Sequence, residues 1–154
     1  MDWTLLVVLL GSIIALTALV TIIVRRTFKG SITIAVVSIL GIFAGIGGAS
    51  HGPGEILQGD IAPSEIIIEA WPSLTLLGGA PAMTFIPNFR VSGIVTVFSG
   101  LAVTIWVATC IQSKNGALVL ILLSIMMLVV GGGLIPPLFG VVAGIIAARV
   151  TKKI

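Results

Sequence analysis

Four stretches of this chain, residues 3–24, 31–50, 91–111 and 117–148, contain no Asp, Glu, Lys, Arg or His. Three of them have about the 20 residues that a helix needs to cross a hydrocarbon core of ~30 Å. In lipid, every backbone N–H and C=O must be satisfied within the chain, so runs of this kind fold as helices. Soluble domains carry roughly 25% charged residues, whereas this chain has 8%, too few to coat a globule in water. With 58% hydrophobic residues and a mean hydropathy of +1.30, it reads as an all-α polytopic membrane protein. Residues 1–154 form one membrane domain, and the lipid bilayer is its first partner.

The net charge of +3 does not point to nucleic acid, because the basic residues are few and sit at the ends of apolar runs, where they set topology. The single cysteine, Cys110, lies inside such a run, which leaves no disulfide framework and no thiol cluster for zinc. No phosphate-binding loop, zincin motif or nucleophile elbow occurs, so neither a cofactor nor a metal is expected. The chain opens Met1-Asp2-Trp3 and places Arg25 and Arg26 after the first run. That order lacks the leading basic region of a cleavable signal and predicts an uncleaved span, amino end outside, with Trp3 at the interface.

The last run is too long for one crossing. As a single helix, its 32 residues would reach ~48 Å. Gly131, Gly132, Gly133, Pro136 and Pro137 interrupt its middle, and both residue types are costly inside a helix. A terminal hairpin over 117–150 gives about five membrane segments, and one long helix gives four. The hairpin puts Arg25, Arg26, Lys29, Lys114, Arg149, Lys152 and Lys153 inside and all five acids outside, with Arg90 the one outer base. This distribution favours five segments in a cell membrane, with the carboxyl end inside. Gly41, Gly45 and Gly48, and again Gly140 and Gly144, form small-residue stripes that let helices approach closely. Membrane helices are rich in glycine in any case.

The outer residues 51–90 carry what chemistry there is. Ser64 after Pro63 predicts an amphipathic helix over 64–69, with Glu65 and Glu69 on one face and Ile66, Ile67 and Ile68 covering the rest. Trp71 and Pro72 end it. Gly78, Gly79, Pro81 and Pro87 break the stretch 73–90, which reads as a cap folded over the helix ends, with the chain's best pocket beneath it. At 50–55 the chain reads Ser-His-Gly-Pro-Gly-Glu. Gly52, Pro53 and Gly54 predict a turn, so His51 serves that turn and Glu55 faces water. In the sharper alternative, His51 and Glu55 act as a general acid–base pair or as metal ligands joined by Asp60 or Glu65. Asp60, Glu65, Glu69 and Trp71 are the candidate ligand-binding residues around them.

Three functions fit this pattern. The first is a non-enzymatic membrane protein that binds a membrane partner or itself. The second is a membrane-embedded enzyme acting on a lipid-like substrate through His51 and Glu55. The third is a passive channel or transporter subunit lined by hydroxyls such as Ser38, Ser99, Thr104, Thr109 and Ser124. Spans without ionisable groups argue against an ion-driven pump.

Overall fold

The computed structural model describes residues 32–72 and 80–151. Expectations attached to the first apolar run, to Arg25, Arg26 and Lys29, to 73–79 and to Lys152 and Lys153 lie outside these residues. The described chain is mostly helical. Helices α1 (Ile32–Ala49) and α2 (His51–Gln58) are followed by strands β1 (Ile67–Glu69) and β2 (Pro81–Met83), and then by α3 (Phe89–Cys110), α4 (Gly116–Val129) and α5 (Ile135–Thr151). Two helical stretches, Ile32–Gln58 and Phe89–Cys110, are long and apolar enough to span a membrane.

Glycines lie at several of the places where the helices meet. Helix α1 packs between α3 and α5, and α4 against α5. Gly45 lies on Thr104 and on the backbone of Gly100, Gly41 lies on Val107, and Gly48 lies on Met127. Val37, Ala44, Val103, Val107, Leu120, Met127 and Ala143 fill the centre. The outer faces are equally apolar: Phe98 is 68% exposed and Ile105 61%. Most of the hydroxyls that were candidates for a conduit bond their own helix. Thr104 donates to Gly100, Thr109 to Ile105, Ser124 to Leu120 and Ser99 to Thr96, while Ser38 is buried without a bond among the described residues.

The final apolar run is divided into two helices. Gly131 and Gly133 take φ of 116° and 77° in the connection, which only glycine adopts freely. Pro136 and Pro137 then fall in the first turn of α5, where a missing N–H is of no consequence. Helix α4 has 14 residues and is therefore only ~21 Å long. The cap closes over its end. Thr84 bridges Val130, Phe85 N–H donates to the Val129 carbonyl, and Leu134 N–H donates to the Pro81 carbonyl.

Two expectations are corrected. The helix predicted over 64–69 is instead a bend leading into β1, which pairs antiparallel with β2 in the register Ile67↔Met83, Ile68↔Ala82 and Glu69↔Pro81. The run of β-branched isoleucines favours a strand. Its alternation buries Ile68 with Ala70, Ala82 and Phe89 while Ile67 and Glu69 point out. Glu65 and Glu69 share no helix face, and the fold is mostly helical with a small hairpin, not all-α. The turn predicted at 51–55 is the helix α2. Pro53 lies in its first turn, where proline is tolerated, and Gly52 and Gly54 are sites of close approach. Gly52 rests on the Gly93 carbonyl, and Gly54 on the Ala70 carbonyl and the Trp71 ring.

Candidate functional site: a buried carboxyl beneath the cap

Because α2 is a helix, His51 and Glu55 are four residues apart and share a face. That face meets the turn between α4 and α5. A Cβ on Gly131 would run into both Glu55 oxygens and Thr96 Oγ1, and one on Gly133 would run into the His51 ring. Glu55 is 0% exposed, so the expectation that it faces water is wrong. The helix does not stop at Ser50 but continues, after a slight break, through Gln58. This continuation carries the carboxyl inward beneath the cap. The count of ionisable groups within long apolar helical stretches is therefore not zero.

The hydroxyls of Thr96 and Ser92 lie beside Glu55. Thr96 Oγ1 donates to the Val130 carbonyl at 2.6 Å, and Ser92 Oγ donates to the same carbonyl at 3.0 Å. Thr84 Oγ1 lies 2.7 Å from Ser92 Oγ and itself accepts from Ile86 N–H at 3.1 Å. These bonds form one directed chain, Ile86 to Thr84 to Ser92 to Val130, with Thr96 joining at its end. Among the described residues, neither Glu55 oxygen has a hydrogen-bond partner. Ser92 borders the carboxyl but could turn its proton there only by releasing Val130. In the arrangement these bonds describe, Thr96 presents a lone pair to Glu55, and Ser92 is the one hydroxyl that could donate to it.

His51 is half-buried. Its Nδ1 lies 3.0 Å from the Gly47 carbonyl, which can only accept, so Nδ1 carries the proton. Nε2 is turned toward Gly133, and no hydrogen bond joins His51 to Glu55. The other candidates do not converge on this pair. Asp60 forms an exposed ion pair with Arg90. Glu69 projects outward from β1, and its carbonyl accepts from Gln58 Nε2. Trp71 Nε1 donates to the Ser50 carbonyl at 2.9 Å and its ring covers Gly54. Glu65 lines an open groove of about 250 Å³ between 63–66 and 84–87. The groove does not reach His51 or Glu55. Among the described residues, no three His, Cys, Asp or Glu side chains gather as a metal cluster would require.

Sequence reasoning missed Thr84, Ser92, Thr96 and the Val130 carbonyl. A usable signal was present, since Ser92, Thr96 and Ser99 recur at helical spacing along one stripe of α3. Comparison of the chain with protein-family models, curated proteins and solved structures finds no match.

Proposed function

We propose that this chain is a small integral membrane protein of five membrane segments that handles a proton or small ion at Glu55, as a channel or transporter subunit. Its amino end and cap lie outside and its carboxyl end inside. One observation carries the functional part: a carboxyl with no exposed surface and no bonding partner among the described residues, within a bundle whose outside is Ile, Val, Leu and Phe. Placing a charge there without compensation costs several kcal/mol. Ionisable groups inside membrane bundles mark ion and proton pathways. The distribution of bases and acids supports the orientation.

The enzyme alternative has less support, because a substrate in the cap groove would touch neither His51 nor Glu55. The partner-binding alternative retains the exposed Ile66, Ile67 and Phe85 on the cap. The test is reconstitution of the purified protein into liposomes with a pH dye inside. Flux that Glu55→Gln abolishes and Phe85→Ser leaves intact supports the proposal, whereas equal flux in wild type and Glu55→Gln rejects it. One-sided reporters fused to the two termini test the topology: signals on opposite sides are expected, and signals on the same side would reduce the count to four spans.

A further inference from the structure

We infer that the Glu55 carboxylate and Thr96 Oγ1 bind one monovalent metal cation, in exchange with a proton. The inference rests on the reading of Glu55 as the functional centre and adds the identity of its ligand.

Convergence is the first support. Glu55 Oε2 lies 2.6 Å, and Thr96 Oγ1 2.5 Å, from the point where a Cβ of residue 131 would stand, and Glu55 Oε1 is there too. Gly131 thus leaves three oxygens of two side chains gathered at one place. A hard cation selects such oxygen donors.

Donor accounting is the second support. The Thr96 and Ser92 protons are both engaged by Val130. An ionised Glu55 can draw the Ser92 proton only at the cost of the Ser92 bond to Val130, and a positive particle held by the carboxylate and Thr96 Oγ1 removes that competition. Thr84 holds Ser92 in place from the cap side.

Charge balance decides the valence. Helix α1 has no ionisable residue, and the sequence from Gly116 to Ala148 has none either. From α3, Arg90 is exposed and paired with Asp60. From the cap, Glu65 and Glu69 are exposed. From α2, His51 directs Nδ1 at Gly47 and Nε2 at Gly133. A single buried carboxylate neutralises a charge of +1, whereas a divalent ion would leave one positive charge uncompensated in a low dielectric.

The test is thermal unfolding of the purified full-length protein in sodium, lithium or choline chloride at constant ionic strength, over a range of pH. A ligand that binds only the folded state raises Tm with the logarithm of its concentration. Wild type should respond to sodium and lithium but not to choline, and the response should shrink as pH falls and protons compete. Glu55→Gln should lose the response, and Thr96→Val should move its midpoint to roughly tenfold higher sodium. Equal responses to sodium and choline, or a response that persists in Glu55→Gln, would overturn the assignment. If Glu55→Gln does not fold, an unchanged midpoint in Thr96→Val overturns it instead. No sodium response together with Glu55-dependent proton flux would defeat the cation site and leave the proposed function standing. A sodium response without flux would do the reverse.

Discussion

The carboxyl of Glu55 packs directly on the Cα of Gly131, a residue held at a φ of 116°. One helical turn earlier, the His51 ring packs in the same way on Gly133. Two glycine-rich breaks that look independent in the sequence are thus the two sides of one contact. Residue 131 must be glycine for two separate reasons: its backbone conformation, and the oxygens occupying the place of its side chain.

Gly131→Ala should therefore be among the most damaging small substitutions in the chain. The left-handed backbone costs about 1–2 kcal/mol for an L-residue, and displacing Glu55 and Thr96 adds about 1–3 kcal/mol of overpacking. Gly59, at φ 86° and ψ −160° with open space where a Cβ would go, gives a substitution with a backbone cost alone, about 1–3 kcal/mol in that region. Unfolding of the two variants measures the difference. Combining Gly131→Ala with Glu55→Ala should recover the share of the steric part that Glu55 causes, leaving that of Thr96, and simple additivity of the two changes would show that the Glu55 contact is not what limits residue 131.

Thr96→Val tests the chain of hydroxyls. The substitution keeps the shape and removes a buried donor whose bond to Val130 is 2.6 Å long. The expected loss is about 1–2 kcal/mol, since Ser92 remains to serve the carbonyl. Thr109→Val removes an exposed hydroxyl that merely bonds its own helix, and its effect should be within about 0.5 kcal/mol. Equal effects at the two positions would dissolve the distinction between a functional cluster and ordinary back-bonding.

The long helices were legible because their signal is local. The apolar runs 31–50 and 91–111 differ from α1 and α3 by one or two residues at each end, and the glycines and prolines of 131–137 mark the division between α4 and α5. What escaped the sequence depends on contacts between distant segments. Gly52, Pro53 and Gly54 lower helix propensity, yet α2 forms because those residues let it sit on the backbones of Gly93 and Ala70. Ser64 resembled an N-cap, but Ile67 and Ile68 found a strand partner in β2. The burial of Glu55 follows from both, because the α4–α5 turn and the cap close over a helix that local reading ended too early.

Gly45 offers a comparison inside a single helix. A side chain there would strike Thr104 and come within 2.7 Å of the Gly100 carbonyl, which is backbone and cannot swing aside. At Gly47 the new methyl would meet only Pro136, at 3.3 Å. Gly45→Ala should destabilise by about 1–3 kcal/mol. Gly47→Ala should be neutral or gain up to ~1 kcal/mol from helix propensity. Thermal unfolding of the pair checks this, and a larger loss at Gly47 than at Gly45 would mean that α1 does not present this face to α3.

Trp71 contributes more to holding the cap than the cap's ion pair does. Asp60 and Arg90 are both more than half exposed, and an exposed pair contributes about 0–1 kcal/mol. The neighbouring backbone bonds from Phe89 to Ile61 and from Arg90 to Gly59 survive its loss. Asp60→Asn should therefore leave unfolding almost unchanged. Trp71 joins β1 to α2 through its bond to the Ser50 carbonyl and its ring on Gly54. Trp71→Phe keeps most of the ring and loses the bond, at about 1 kcal/mol. Trp71→Ala loses both, uncovers α2 and should speed hydrogen exchange of the α2 amides well beyond the Phe variant. Faster α2 exchange in Asp60→Asn than in Trp71→Ala would instead assign the closure of the cap over Glu55 to the ion pair.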